Sequence, residues 1–382
     1  MTSPDYYEFF SQQKVISGNR ALESISSELG SMDAVKPLVI AGKGISKCLT
    51  KTFIASINDS NMTIGGLYNE VPDYANVATV NDLAELFRAR GCDSIIGIGG
   101  GSVMNVAKGV NIHVSTNTGN IMDFKEEGAL TKPLKPMVYI PLSYGDGLEA
   151  TNSAVIDQHL FKSDRLFADV ICIDPRMVKG CCAECVVEKA VIALTQAIES
   201  SLEQYCSPMN DAYAHSAIQL ISENLIKGTK KLKNKKASMA LANAAAFAGI
   251  TYSNSPSGIV YMLSDALATL DGHPKGIYMG ILLPYWFELS IKAKEKIREE
   301  FLLSMKGFDV FSSTPKEQRV RVAVDLLKDM LGGLKGIIPK TLKDLTIPKY
   351  RFNEVAERVV EKSNKRFTVK ECLALLEAAY GE

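Results

Sequence analysis

The residues whose types and spacing point most directly to chemistry are three consecutive glycines at the end of an apolar run. Ser94-Ile95-Ile96-Gly97-Ile98 reads as a buried strand, Gly99-Gly100-Gly101 as a turn, and Ser102 through Lys108 as the first turns of a helix. Glycines lack a Cβ, so they can take φ > 0 and let a ligand approach the backbone. A helix N-terminus adds unpaired N–H groups and a partial positive charge, which together make a cradle for a pyrophosphate. The residues follow neither the Gly-x-Gly-x-x-Gly fingerprint nor the P-loop pattern, so the cradle is of a variant type. The same glycines would equally serve a tight strand-to-helix turn with no ligand. Elsewhere, Cys181, Cys182 and Cys185 lack the second Cys or His pair that zinc spacing requires and read as a fortuitous surface group. His113, His159 and His215 are scattered and make no ligand set.

The elements that must position this turn alternate along the first half of the chain. Pro37-Leu38-Val39-Ile40-Ala41 reads as a buried strand, Gly42-Lys43-Gly44 as its loop, and Ile45 onward as a crossover helix. A strand at about 63–68, a helix through 80–90, the strand at Ser94 and another at Met137–Pro141 continue the pattern. Such alternation implies a parallel sheet covered on both faces. The loop from Leu142 to Thr151, with its glycines 145 and 147, leads back toward the carboxyl ends of the strands, where open α/β sheets hold ligands. After Val170–Pro175 an apolar period of 3.6 residues takes over, predicting helices at 184–204, 209–226, 237–251, 257–270, 277–292, 317–332, 352–362 and 368–380. Asp174-Pro175 marks the boundary, since a residue before proline is pushed out of the helical region. The reading is a dinucleotide-binding α/β domain at 1–176 and an all-helical domain at 177–382.

Composition narrows the partners. A chain of 382 residues with 46% hydrophobic content supports two cores. Its 43 basic and 43 acidic residues balance, which argues against nucleic acid or an anionic membrane as main partner. The basic run at 230–236 lacks interleaved aromatics and reads as a solvated loop. Eight cysteines fit reduced thiols, no stretch has the length of a membrane span, and the first residues lack a signal peptide's basic and apolar regions. A cytoplasmic protein is expected.

These residues resemble the iron-containing (group III) alcohol dehydrogenases nearly end to end. The resemblance is carried by Ser17-Gly18-Asn19-Arg20-Ala21-Leu22, by Gly99-Gly100-Gly101-Ser102 with Ala107-Lys108, and by Ile140-Pro141 with Gly145, Gly147, Glu149 and Thr151. Asp174-Pro175, Ala193-Leu194-Thr195 with Ala197-Ile198-Glu199, Leu282-Leu283-Pro284 and Asn364-Lys365-Arg366-Phe367-Thr368 continue it. It implies a dehydroquinate synthase-like architecture, an NAD(P)-dependent oxidoreductase acting on a small alcohol or aldehyde, and a homodimer.

The resemblance also implies a divalent metal held by one aspartate and three histidines, and their four places fall on Ile192, Gln196, Tyr261 and Lys275. None is a good ligand: an alkyl group has no donor atom and an ammonium repels Fe²⁺ or Zn²⁺. A further family histidine falls on Asp265. No metal is therefore expected, and Lys275 with Tyr261 becomes the catalytic candidate, an ammonium and a phenol able to steady a developing alkoxide and deliver a proton. Asp265 is expected to orient or neutralise Lys275, and His273 to act as a donor or relay. On the cofactor side, Asn105 stands where the family has aspartate, and Gly42 stands where NAD-preferring members carry an aspartate for the ribose. That makes room for a 2′-phosphate near Lys43, Ser46 and Lys47, favouring NADP over NAD. The cofactor contacts expected are Gly42, Lys43, Gly99, Gly100, Gly101, Ser102, Asn105, Lys108, Ser143 and Asp146. The alternative reading is a nucleotide-binding member without redox turnover, in which Lys275 and Asp265 pair merely to fill the vacated site.

Overall fold

The computed structural model describes every residue except 1–3, 44, 58–60, 127, 179–181, 206, 335, 346 and 382. Gly44 of the first glycine loop and Cys181 of the cysteine group thus lie outside the described residues. The chain forms two compact units, Phe10–Gly180 and Met1–Phe9 with Cys181–Glu382.

In the first unit the strands are β1 (Lys14–Ser17), β2 (Pro37–Gly42), β3 (Gly66–Val71), β4 (Ser94–Gly99), β5 (Met137–Pro141), β6 (Ser153–Ile156), β7 (His159–Lys162) and β8 (Val170–Ile173). Six of them make one parallel sheet in the order β1-β8-β5-β4-β2-β3, and β6 and β7 pair as an antiparallel hairpin. The helices between them are α1 (Ile25–Gly30), α2 (Lys47–Ile57), α3 (Val77–Ala89) and α4 (Gly101–Thr116). Alternate residues of the central strands feed two cores. Leu38, Ile40, Ile95, Met137 and Tyr139 pack with Val80, Phe87, Met104 and Val110 of α3 and α4. Val39, Ala41, Ile96, Ile98, Val138 and Ile140 pack with Leu22, Ile25, Phe53 and Ile57 on the other face. Burial on both faces is why these strands are continuous apolar runs.

The chain leaves β2 for β3 on one side and returns as β4 on the other, with Ala41 opposite Ile98. This reversal opens a crevice outside the carboxyl ends of β2 and β4, where Gly42 and Gly99 end their strands.

The second unit is helical, comprising α5 (Ala183–Ser200), α6 (Pro208–Lys230), α7 (Lys235–Ser253), α8 (Ile259–Asp271), α9 (Lys275–Lys292), α10 (Glu300–Ser313), α11 (Lys316–Gly332), α12 (Phe352–Lys362) and α13 (Val369–Tyr380). Local signals set several starts: Ser207 caps α6 with Pro208 at its first position, and Thr368 with Glu371 forms a capping box on α13. No helix among the described residues is long and apolar enough to cross a membrane.

Several elements differ from the sequence reading. The strand expected at 63–68 occupies Gly66–Val71, α5 ends at Ser200, and α9 begins at Lys275. Strand β1 is short and mostly exposed, so it lacks the apolar run that marks its neighbours. Helix α10 carries Gly307 at φ 79°, a break that interrupts the helical period.

Candidate active site and nucleotide cradle

The glycine turn after β4 is demanded by crowding rather than by dihedral angle. None of Gly99, Gly100 and Gly101 has positive φ. A Cβ on Gly99 would lie 2.5 Å from a Val103 methyl, and one on Gly101 would lie 2.7 Å from Leu148 and 3.0 Å from the Asp146 carboxylate. Gly100 precedes α4 with no side-chain cap, so the first N–H groups of a 16-residue helix receive no side-chain acceptor. Tyr139 Oη pins the turn by donating to the Gly100 carbonyl at 2.8 Å. This is a cradle that side chains would fill, and it suits a pyrophosphate. Ser102 presents only its backbone here, because its hydroxyl donates to the Pro72 carbonyl at 2.6 Å. Asn105 lies half-buried one turn along.

Positive φ does occur in the loop after β5, at Ser143 (49°), Tyr144 (80°), Gly145 (76°) and Gly147 (85°). Non-glycine residues held this way store strain that the surroundings must offset. The brace is Lys108, and this corrects its expected role as a cofactor contact. Its ammonium is wholly enclosed and donates to the carbonyls of Thr151 (2.6 Å) and Ser153 (2.8 Å) and to the Thr151 hydroxyl (3.1 Å). Burial lowers its pKa from a lysine's ordinary 10.5 to about 7, against the opposing pull of Glu149 and Asp146. Glu149 in turn lies against Gly145, where a Cβ would meet its carboxylate oxygen at 2.3 Å. Asp146, in the same loop, is also buried. Beside β2, Lys43, Ser46 and Lys47 are exposed, and Ser46 Oγ accepts from the Leu49 amide. A Cβ on Gly42 would stand 3.3 Å from Val103, so a small adjustment admits a larger residue.

In the helical unit, Gly272 at φ 78° ends α8 and Pro274 starts α9, a reversal that sets Lys275 at the head of α9. Gly276 follows because a Cβ there would be 2.4 Å from the Glu188 carbonyl of α5. Lys275 Nζ donates to Tyr261 Oη at 2.8 Å and lies 4.7 Å from the centre of the Tyr261 ring. Tyr252 of α7 lies against Tyr261 with the rings tilted at 34° and centroids 4.9 Å apart, and its hydroxyl is 2.6 Å from Ser257 Oγ. Glu199, fully buried on α5, caps α8 by accepting from Val260 N (2.8 Å) and Tyr261 N (3.2 Å). Gly258 is required there, since a Cβ would run into the carboxylate. Burial pushes the Glu199 pKa up to about 8, opposed by those amides and by Arg366.

Of the four expected catalytic residues the structure unites two. Asp265 makes no ion pair with Lys275; the charge it faces is Lys362 of α12. His273 is exposed, with Nδ1 2.8 Å from the carboxylate of Asp271, which also accepts from Tyr278. The Asp271 carboxylate sits beside the reversal and draws the imidazole to itself. The sequence reading missed Tyr252, Ser257 and the capping duty of Glu199. One signal for the last was available: Thr195, Gln196 and Glu199 recur at helical spacing along an otherwise apolar stretch of α5.

A divalent metal does not fit these residues. Ile192 has no donor, Gln196 is an enclosed amide whose two polar atoms bond to no described residue, and Lys275 is a cation. Among the described residues no group of three or more His, Cys, Asp or Glu side chains is placed to hold an ion.

Lys108→Met is expected to destabilise the protein by about 3 kcal/mol, because it leaves buried carbonyls and carboxylates without their cation. The native lysine binds fewer protons than the unfolded one between pH 7 and 10.5, so its contribution to stability rises with pH across that window and levels off at its lowest below 7. The variant should lack this rise. Urea titrations at several pH values test it, and an unchanged midpoint with lost nucleotide affinity would instead put the ammonium on the ligand.

Comparison with known proteins agrees with this architecture. The family model "Iron-containing alcohol dehydrogenase" matches residues 12–175, and "Fe-containing alcohol dehydrogenase family, C-terminal" matches 186–380. The NAD-dependent methanol dehydrogenase of Bacillus methanolicus is 26% identical over 375 residues, covering 96% of this chain and 97% of its own. The 1,3-propanediol dehydrogenase of Citrobacter freundii is 26% identical over 358 residues, covering 91% and 90%. Among solved structures, the alcohol dehydrogenase from Oenococcus oeni superposes with TM-score 0.89 at 22% identity over 98% of this chain and all of its own, a likeness of fold. With the two family models spanning both units from strand β1 to helix α13, the chain belongs to the iron-containing alcohol dehydrogenase family.

Proposed function

We propose that this protein is a nicotinamide-dependent oxidoreductase that interconverts a small alcohol and its carbonyl compound without a divalent metal. The observation that carries the proposal is the 2.8 Å contact between the Lys275 ammonium and the Tyr261 phenol. A divalent cation beside one carboxylate leaves a single net positive charge. The Lys275 ammonium carries the same single charge, so the field at a substrate oxygen is kept while its source changes. In this reading Lys275 donates a hydrogen bond to the developing alkoxide, and Tyr261 exchanges the proton. The same ammonium steadies the phenolate left behind. Bound nicotinamide supplies or accepts the hydride, and the cradle before α4 would hold its pyrophosphate.

A second reading has its own observation. Lys275 already meets an oxygen and an aromatic face, which is what a group filling a vacated site would need. Such a protein would bind nucleotide without turnover. In either case we propose NADP(H) over NAD(H), on the strength of Gly42 with Lys43, Ser46 and Lys47 exposed nearby, and a homodimer, on the strength of family likeness.

Lys275→Met separates the readings. Turnover should fall by about 10³-fold with nucleotide affinity within a few-fold if Lys275 works as an oxyanion donor. A change in melting temperature with turnover intact would support the site-filling role. Paired fluorescence titrations should show tighter NADP(H) than NAD(H). Gly42→Asp should weaken NADP(H) by tenfold or more, since a carboxylate against a phosphate is a like-charge contact costing on the order of several kcal/mol. Equal affinities in the parent would contradict the cofactor assignment.

A further inference from the structure

We propose that Cys182 and Cys185 form a dithiol site at the head of α5, which a low-molecular-weight disulfide closes to a protein disulfide and a thiol reopens. The zinc spacing that the cysteine group lacks is not what a dithiol needs: Cys182-Ala183-Glu184-Cys185 has the Cys-x-x-Cys spacing of a redox pair. Cys182 is the N-cap of α5 and Cys185 its third residue, and the Cys185 amide donates to Cys182 Sγ at 3.1 Å. Side chains at these two places are neighbours, which is what lets a capping box bond in both directions. The Cys185 sulfur hangs from the Cα next to the donating nitrogen, so rotation about its Cα–Cβ bond carries it toward the Cys182 sulfur. Neither cysteine is in a disulfide, and both are half-buried, within reach of a small reagent.

The choice of sulfur as a cap is itself informative. Helices α3, α6, α7 and α13 are capped by the side-chain oxygens of Asn76, Ser207, Asn234 and Thr368. A thiol is a weaker acceptor than these, and serine would cap α5 better. What sulfur adds is reactivity, and the attacking form, the thiolate, is favoured at helix N-termini. The other described cysteines are placed differently. Cys92, Cys172 and Cys372 are buried, and burial raises each of their thiols, that of Cys372 to about 11. Cys48 is exposed but has no second cysteine near it in its helix.

The chemistry balances with glutathione disulfide as the oxidant. The Cys182 thiolate attacks one glutathione sulfur, a protein–glutathione S–S bond forms as the original S–S bond breaks, and one glutathione leaves as thiolate and takes a proton from solvent. Cys185 then gives its proton to solvent, its sulfur attacks Cys182 Sγ, and the second glutathione leaves and is protonated. The sum converts two protein thiols and one glutathione disulfide into one protein disulfide and two glutathiones. The protein loses two electrons and glutathione disulfide gains them. Excess thiol runs the same steps backward, and accessible disulfides are the ones that reduction reopens most readily.

The test equilibrates the full-length protein with glutathione and glutathione disulfide over ratios from wholly reduced to wholly oxidised, then alkylates the remaining thiols and digests with trypsin. One peptide, 180–189, holds Cys181, Cys182 and Cys185. Mass spectrometry should show that peptide losing two alkylation sites, joined as Cys182 to Cys185, with both regained on adding excess dithiothreitol. Cys181→Ser should behave the same way. Cys185→Ser should stop at a stable mixed disulfide between Cys182 and glutathione. Cys182→Ser, whose hydroxyl keeps the cap, should react with glutathione disulfide at Cys185 about tenfold or more slower than the parent reacts at Cys182. Full alkylation of all three cysteines at every ratio, a bond that uses Cys181, or Cys182→Ser reacting as fast as the parent would overturn the proposal. None of these readouts needs turnover or bound nucleotide, so the result stands apart from the oxidoreductase reading.

Discussion

The contact on which the candidate site depends is the hydrogen bond from the Lys275 ammonium to the Tyr261 phenol. Lys275 is half-buried at the head of α9, and the phenol and its ring together cover one side of the cation. The surrounding glycines make that contact possible. Gly272 and Pro274 turn the chain so that residue 275 starts a helix facing residue 261, and Gly276 lets that helix press onto the backbone of α5. Gly258 admits the buried carboxylate of Glu199, which fixes the first turn of α8 and with it the Tyr261 backbone. A Cβ at Gly276 or Gly258 would be pushed into an atom that cannot retreat.

The α/β unit solves a different problem, that of keeping a turn of backbone clear of side chains. Its glycines before α4 leave no room for side chains, and the loop after β5 is wound through the left-handed region. Such a loop holds its shape only if something inside anchors it. Lys108 does so from below, with its donors spent on carbonyls of the following segment. A lysine that looked like a ligand contact is a structural brace, and the first N–H groups of α4 are left without a side-chain acceptor.

The fold was largely legible in the sequence because parallel strands buried on both faces must be apolar throughout, and helices covering a core must repeat every 3.6 residues. Both signals are strong between residues 37 and 141 and again after 183. They fail where burial is slight, as at β1, or where a glycine interrupts the period, as at Gly307. The site was legible in part. Residues 261 and 275 were picked out from the family's spacing, and they do meet. Asp265 was expected at Lys275 and faces Lys362 instead, while His273 is turned to Asp271. Spacing along α8 tells which face Asp265 occupies, not which of several nearby charges it will meet, and His273 lies in the loop between α8 and α9, where no helical period places a side chain. Tyr252 and Ser257 come from a different helix and loop, and no local pattern links them to Tyr261.

The central claim is that an ammonium stands in for a metal ion in a family named for iron. The direct test is turnover measured against bound divalent metal: elemental analysis of the purified protein, then rates before and after exhaustive dialysis with EDTA. The account predicts substoichiometric iron and zinc and an unchanged rate. One tightly held ion per chain, or a rate lost to EDTA and restored by Fe²⁺ or Zn²⁺, would contradict it.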